Sequence, residues 1–233
     1  MICLDAFPCK NLVSFATTIA TITSDNDKEL EDAISKLNKS GGIIYIDTPI
    51  IHVSSKSPLK ILSGSIEGGI IDKQQPDGSY PVIEFTHAVS TNSRLEISGS
   101  NQFLKYLIIQ NSWKGIWLTG SKNTLEHIYN FDSGFQISDN AISNTLNYCY
   151  SYRNINFPNF GANDSGFFLK PDSSQTVFNY CFSFDNSNKW WDVNDKEGDS
   201  SVSVSYLHSA CWNNDNPDVF TGKYDYDNNR HFR

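Results

Sequence analysis

The chain has 233 residues, of which 39% are hydrophobic and 19% are charged, with a formal net charge of −8 and five cysteines. This composition is typical of a globular protein with one large domain, and it excludes a disordered chain or one with an apolar membrane span. The negative charge argues against nucleic acid binding, which depends on Lys and Arg. An acidic ligand would need local positive charge or a metal ion.

The two ends of the chain carry no recognisable signal. The first residues, Met1 to Phe15, lack a charged segment followed by a long apolar stretch, so no signal peptide is evident. We therefore expect the chain to begin inside a longer gene product. The last residues, up to Arg233, show no terminating element.

Residues from about 25 to 40 predict one α-helix. Ser24 or Asp25 can act as its N-cap, and Gly41-Gly42 stops it. Apolar residues recur with helical spacing on a single face, at Leu30, Ala33, Ile34 and Leu37.

After this helix the pattern changes to short β-rich segments separated by Gly, Asn, Asp and Ser. The predicted strands are residues 43–46, 50–53, 69–71, 82–85, 95–97, 104–109 and 115–118. Regular short strands fit a sandwich, a barrel or a solenoid.

Internal repeats favour the solenoid. The segment NYCYSYRN at 147–154 reappears as NYCFSFDN at 179–186, and a weaker copy, SACWNN, lies at 209–214. A second series starts with glycine, at 115–118, 134–137 and 166–169, and a third pairs 123–125 with 144–146. Repeats of about 20 to 30 residues that contain several strands and no helix describe coils of a β-solenoid.

We therefore predict an all-β fold, a right-handed parallel β-helix, in one domain over residues 1–233. The coils are expected over about 43–220, and the helix caps their N-terminal end, because an open coil needs a cover. Residues 155–164 interrupt two matching strands and are predicted to form a loop insertion on one face.

Equivalent positions in successive coils should stack. One such position is occupied by cysteine in three copies, at Cys149, Cys181 and Cys211. Side chains in a parallel ladder point the same way, which suits disulfide geometry poorly, so we prefer buried thiols to bridges. Three asparagines are expected to cap turns or to form stacked amide ladders, namely Asn123, Asn144 and Asn186.

Two segments that follow the insertion carry a specific resemblance. Residues 163–171 read NDSGFFLKP, and residues 186–192, one coil later, read NSNKWWD. In order and spacing they resemble the paired motifs of polysaccharide lyase family 9, the calcium-dependent pectate lyases with a β-helix fold. The similarity covers most of the chain and implies a divergent, C-terminally incomplete member of that family.

This resemblance implies cleavage of polygalacturonate by β-elimination. Lys170 falls on the position of the Brønsted base, which removes the C5 proton of a galacturonate residue. A free lysine has a pKa near 10.4. It can act as a base only if burial or nearby cations lower that pKa, or if the pH is alkaline.

The resemblance also implies a calcium site, but the ligands are altered. The four family aspartates fall on Ser165, Asn188, Lys189 and Asp192. Asp192 is still a carboxylate, Ser165 and Asn188 offer neutral oxygens, and Lys189 repels the ion. Since calcium takes six to eight oxygen ligands and favours carboxylates, we expect its binding to be lost or strongly weakened.

Substrate contacts are assigned to Trp190, Trp191, Lys189 and Arg153. The two indoles offer a platform for sugar rings, although they could equally pack on the solenoid. Lys189 and Asp192 could instead form a surface ion pair of little energetic worth. The implied partner is acidic polysaccharide (pectate or polygalacturonate), with no nucleic acid and no membrane, and the resemblance implies a secreted protein, expected to be monomeric.

Three functions stay open at this point. The chain could be a pectate-lyase-like enzyme, a non-catalytic relative that binds acidic polysaccharide, or a structural β-helix. The altered aspartates favour the last two over the first. Lys170 and the insertion favour the first two over the third.

Overall fold

A computed structural model describes residues 17–68, 80–86, 93–138, 140–154, 165–170, 173, 175–187, 191–193, 203–212, 223–227 and 230–231. For 65–68, 191–193, 203, 223–227 and 230–231 the backbone alone is described. The first elements are β1 (Thr18–Ile22), α1 (Asp27–Ser40), β2 (Ile43–Ile46), β3 (Ile50–Val53), β4 (Leu59–Ile61), β5 (Ser65–Gly68), β6 (Val82–Phe85), β7 (Leu95–Ile97), β8 (Phe103–Gln110), β9 (Ile116–Leu118) and β10 (Thr124–Phe131). They are followed by β11 (Phe135–Ile137), β12 (Thr145–Asn147), β13 (Tyr150–Tyr152), β14 (Phe167–Leu169), β15 (Thr176–Asn179), β16 (Phe182–Phe184), β17 (Trp191–Val193), β18 (Ser203–Leu207), β19 (Ala210–Trp212), β20 (Lys223–Asp227) and β21 (Arg230–His231).

These strands stack in parallel, coil upon coil, and confirm the predicted right-handed parallel β-helix. In the described part, sheet B consists of β4, β7, β9, β11, β14 and β17, side by side. The other strands form sheet A, which has two limbs joined through the long strands β8 and β10. One limb follows β2, β5, β8, β10, β12, β15 and β18, and the other follows β3, β6, β8, β10, β13, β16 and β19.

In five successive coils, the chain passes from one limb to the other through a left-handed residue. These residues are Tyr106, His127, Tyr148, Tyr180 and His208, with φ between 52° and 58°. Residues other than glycine rarely adopt this backbone conformation. Here the five rings stack on one another, with centroids 4.7 to 5.3 Å apart, which offsets the local strain.

The core is built from inward-facing ladders. Residues of successive coils lie in register along one such ladder: Leu104, Leu125, Leu146, Phe178 and Tyr206. All five belong to the apolar core and are almost completely buried. Each full burial of such a side chain contributes roughly 1.5–3 kcal/mol, so the repeat itself is the main source of stability.

The N-terminal helix covers the first coil as predicted, but its N-cap is different. The apolar face is buried against β1 to β4, through Leu30, Ala33, Ile34 and Leu37. The N-cap is Asn26, which accepts a hydrogen bond from the Glu29 N–H at 3.2 Å, so the prediction of Ser24 or Asp25 is wrong. Asp25 is instead engaged by His52 of β3, a long-range contact with no local signature. Gly41, at φ 66°, ends the helix.

The cysteine ladder is shorter than predicted. Cys149, Cys181 and Cys211 are buried free thiols. However, the register places Cys211 opposite Ser183, and Ser209 lies beside Cys181, whose backbone N–H it accepts at 3.1 Å. The third repeat copy is therefore shifted by two residues, because alignment on the shared cysteine does not follow the strand pairing.

The predicted asparagine ladders are confirmed. The Asn123 side-chain oxygen accepts a hydrogen bond from the Gln102 N–H at 2.8 Å, and the Asn144 side-chain oxygen accepts one from the Asn123 N–H at 2.9 Å. In both pairs the acceptor lies 21 residues after the donor, in the next coil. Asn186 accepts in the same way from the Asn154 N–H at 3.2 Å. These amides satisfy backbone donors between coils.

In the part of the chain with defined placement, no helix is long and apolar enough to span a membrane.

Candidate functional site

The outer face of sheet B carries a row of chemically varied side chains. In β4, β7, β9, β11 and β14 the first and third residues belong to the apolar core, so the middle residue faces outward. Strand register aligns these middle residues into one row, here called the outer row: Lys60, Glu96, Trp117, Gln136 and Phe168, with Asp192 next in register.

Glu96 is the anionic centre of the described part of this row. It is only 6% exposed. Its carboxylate accepts hydrogen bonds from Lys60 Nζ at 2.9 Å, Arg94 Nη2 at 2.9 Å and Ser98 Oγ at 2.7 Å. Burial raises the pKa of this carboxyl, but the hydrogen bonds from Lys60, Ser98 and Arg94 outweigh burial and leave the pKa below its usual value. Glu96 therefore stays ionised, and its charge is already shared by two cations.

Two cations lie against the ring of Trp117. The Arg94 guanidinium carbon is 4.2 Å from the ring centroid, and Lys114 Nζ is 4.3 Å from it. Lys114 Nζ also lies 4.2 Å from the centroid of the Trp113 ring. Such cation–π contacts contribute about 0.5–1 kcal/mol at exposed sites and about 2 kcal/mol when desolvated. Lys114 reaches this position from turn 111–115, which is longer than the equivalent turn 132–134.

The ammonium group of Lys114 is destabilised where it lies. Burial, together with the positive charges of Arg94 and Lys170, lowers its pKa to about 8, and Glu96 opposes this in part. Within the described residues, Lys114 has no carboxylate partner. A partly buried ammonium without an anion is costly.

Lys170 lies at the edge of the same face. Its N–H donates to the Ile137 carbonyl at 2.8 Å, directly after β14, and its own carbonyl accepts from Ser173 Oγ at 2.6 Å. Its Nζ lies 5.4 Å from the Phe168 ring centroid, and its charge acts on Lys114. Arg94, Lys114 and Lys170 therefore form a cation cluster on the outer face of sheet B.

Two polar atoms on the outer row lack hydrogen-bond partners in the described part of the protein. They are Oε1 of Gln136, whose side chain is 4% exposed, and Nε1 of Trp117. A buried acceptor or donor without a partner costs about 1–3 kcal/mol, and native structures contain few of them. One acceptor and one donor without described partners thus lie buried beside the cation cluster.

The residues predicted from the sequence are only partly brought together. Lys170 lies on the outer face, and the backbone of Trp191 and Asp192 continues sheet B in register with Phe167 and Phe168. Ser165 precedes β14, is 1% exposed and has a hydroxyl without a described partner. Outside the described residues lie Asn188, Lys189, Trp190 and the insertion 155–164.

Arg153 lies elsewhere. It follows β13 with φ 56°, and its guanidinium carbon is 4.7 Å from the centroid of the Phe131 ring. Its charge acts on Asp132, whose pKa is raised by burial and only partly lowered by this arginine. The described contacts of Arg153 are therefore with sheet A, and none of them is with the outer row.

The described residues do not fit a calcium ion. No group of three or more His, Cys, Asp or Glu side chains with metal-binding proximity occurs among them. The register places Asp192 beside the apolar Phe168, and the cation cluster would repel a divalent ion. Calcium affinity depends on the number of carboxylate ligands, and the donors here are poor in them.

The sequence reasoning missed Arg94, Lys114, Trp117 and Gln136. A signal for the last two was present, because the repeat at 115–118, 134–137 and 166–169 aligns Trp117, Gln136 and Phe168. Arg94 and Lys114 stand in turns before the strands, where the repeat does not predict side-chain direction.

The comparisons with known proteins agree with this architecture. A family model described as "Pel9A-like, right handed beta helix region" matches residues 16–229. Comparisons with curated proteins and with solved structures found no match. The match covers nearly the whole chain and the stacked coils described above. The chain therefore belongs to the Pel9A-like right-handed β-helix family.

Proposed function

We propose that this protein binds an acidic polysaccharide of the polygalacturonate type along the outer row of sheet B. The observation that carries the proposal is Lys114, a partly buried ammonium on two indole rings that has no described carboxylate partner. A bound uronate would supply the missing negative charge. Membership in a pectate-lyase-like, carbohydrate-active β-helix family supports the same class of ligand.

The dimensions of the outer row suit a linear chain. Successive strands lie about 4.8 Å apart, so the row from Lys60 to Asp192 extends over roughly 24 Å. Cations occur along this track together with aromatic rings and orphaned polar atoms. The cations suit the carboxylates of a uronate chain, and the polar atoms suit its hydroxyl groups.

We further propose that bound polygalacturonate is cleaved by β-elimination with Lys170 as the base. The C5 proton passes to the Lys170 amine, the C5–H electrons form the C4–C5 double bond, and the C4–O glycosidic bond breaks. The departing oxygen takes a proton from water. A cation beside the uronate carboxylate stabilises the charge that develops next to C5. The position of Lys170 directly after β14, with Nζ 5.4 Å from the Phe168 ring centroid, supports this role.

Affinity electrophoresis combined with an elimination assay tests both statements. Migration should be retarded in gels that contain polygalacturonate and unchanged in gels that contain a neutral glucan. Wild-type protein should produce unsaturated uronides, measured by ultraviolet absorbance, and Lys170→Ala should not. Lys105→Ala, which removes a lysine of sheet A, should behave like wild type.

The outcomes separate the two statements. Without retardation in polygalacturonate, the binding proposal is wrong. Retardation without unsaturated products in the wild type would leave a non-catalytic polysaccharide-binding protein. Full activity in Lys170→Ala would remove Lys170 from the base role.

A further inference from the structure

We propose that Lys114, held on the Trp117 ring that Arg94 also contacts, is a carboxylate-binding subsite that recognises one uronate residue without calcium. This inference rests on the proposed function and names the group that neutralises the substrate. It follows from two observations on the same face. The described donors do not fit calcium, and among the described residues of the face the cations exceed the carboxylates.

The charge balance of the described part of the face is uneven. Lys60, Arg94, Lys114 and Lys170 bring four positive charges, whereas the row holds two carboxylates, Glu96 and, at its far end, Asp192. Glu96 is already hydrogen-bonded to Lys60 and Arg94. The net charge of the whole chain is −8, so a local excess of positive charge here is not a consequence of composition. An incoming carboxylate would be attracted to this face.

The position of Lys114 is defined by its surroundings rather than by an ion pair. Trp113 and Trp117 both contact its ammonium group. Arg94, which lies on the same indole as Lys114, is 9% exposed and is anchored to Glu96. A preorganised cation of this kind loses little side-chain entropy when it binds an anion. It can therefore take over the role that a bound divalent ion would have toward a carboxylate.

The charge of Lys114 sets the pH range of the subsite. Burial, Arg94 and Lys170 lower its pKa to about 8, whereas Glu96 raises it. Asp192 lies three strands from Trp117 along the row, roughly 14 Å away. The subsite is therefore positively charged at neutral pH and loses this charge as the pH rises through about 8.

The test is calorimetric titration with short oligogalacturonates, which calcium does not gel. Wild-type protein should bind them at neutral pH in the presence of a chelator, and added calcium should change the affinity by less than about twofold. Lys114→Met should weaken binding by about tenfold or more, as expected for the loss of a charged hydrogen bond. Lys105→Met is the matched control, because Lys105 also lies over aromatic rings, in sheet A, and its affinity should equal that of wild type.

A second variant supplies a pH readout. Wild-type affinity should decrease as the pH rises through about 8, whereas Lys114→Arg should keep its affinity, because arginine remains charged. Thermal unfolding of each variant checks that the fold is retained. The same affinity for wild type on both sides of pH 8 would overturn the assignment of the binding charge to Lys114.

Failure of this inference is distinguishable from failure of the proposed function. If wild-type protein binds only when calcium is added, the inference is wrong and the proposed ligand stands. If it binds under neither condition, the proposed function is wrong. If Lys114→Met keeps its affinity but loses the elimination reaction, Lys114 is the base and not the carboxylate-binding group.

Discussion

The outer faces of sheets A and B are built on the same coils but use their side chains in different ways. On sheet A, one outward row reads Tyr129, Tyr150 and Phe182, and its rings stack with centroids 4.6 and 5.1 Å apart. On sheet B, the residue type of the outer row changes at every coil. A row of like residues stabilises itself, whereas a row of unlike residues leaves charges and polar atoms for a ligand.

The aromatic rows of sheet A are therefore structural, although they contain many rings. Tyr152 and Phe184 stack within 6° of parallel, and Phe184 and Trp212 within 3°. Their faces are covered by one another, so these stacked faces are closed to a sugar ring. On sheet B, Trp117 is covered by cations instead. Counting aromatic rings alone would select sheet A, where the rings cover one another, rather than the proposed binding face.

The largest effect is expected when a stacked row on sheet A is interrupted. Tyr150→Ala removes two stacked pairs and a partly buried ring, and we expect a loss of about 2–3 kcal/mol in the free energy of unfolding. Denaturant titration measures this loss. Tyr150→Phe keeps the ring and should stay close to wild type, and both variants should bind polygalacturonate normally. If Tyr150→Ala bound polygalacturonate more weakly under conditions in which it is fully folded, sheet A would also contact the ligand.

The difference between rows of like and unlike residues also decides which parts of the structure could be predicted from the sequence. Stacked rows of like residues produce visible repeats, and these predicted the solenoid, most strands and the asparagine ladders. β1 (Thr18–Ile22) was missed because it belongs to no repeat, and the N-cap because Asp25 binds the distant His52. Cys211 was misaligned because the chain length between coils varies: it is 21 residues at Asn123–Asn144, 32 at Asn154–Asn186 and 28 at Cys181–Ser209.

The candidate site was harder to predict for a physical reason. Lys170 was identified by resemblance alone, and its role as a base stays a prediction. Arg94 and Lys114 do not repeat, and their side chains reach the outer row only because of how their turns fold. The charge excess at the site is a property of the register between coils, which composition does not show.

A substitution at Gln136, on sheet B, should give the next largest effect. Its amide oxygen is buried without a described partner, so Gln136→Met, which has a similar shape, should raise the free energy of unfolding by about 1 kcal/mol. It should also weaken polygalacturonate binding, because an acceptor is lost. Gln110→Met is the matched control on sheet A. Gln110 donates to Glu84 at 2.8 Å, and its replacement should destabilise the protein without affecting binding. A less stable Gln136→Met would contradict the view that this amide is reserved for ligand.

Lys114 provides a smaller effect through the pH dependence of stability. Its pKa is lowered in the folded state, to about 8, so the unfolded chain binds more protons between about pH 8 and 10.5 and stability from this group rises over that range. Solvent screening of a partly exposed group limits the gain to about 1 kcal/mol. Melting temperatures of wild type and Lys114→Met across this range measure it. A constant difference between them would show that Lys114 is not destabilised in the folded protein.

His52 should show the opposite sign, and the smallest effect, because it lies exposed at the edge of sheet A. Its Nδ1 is 2.6 Å from Asp25 Oδ2, and this hydrogen bond raises the pKa of His52 despite some desolvation, with further help from the charges of Asp25 and Glu84. A raised histidine pKa gives stability that is fully present below the unfolded pKa, near 6.5, and that is lost as the pH rises through the folded value. The melting temperature of wild type relative to His52→Gln should therefore fall as the pH rises above about 6.5. On sheet A the charge of His52 is stabilised by its carboxylate partners, whereas on sheet B Lys114 has no described carboxylate partner. If both groups shifted stability in the same direction with pH, the contrast between paired and unpaired charge would be wrong.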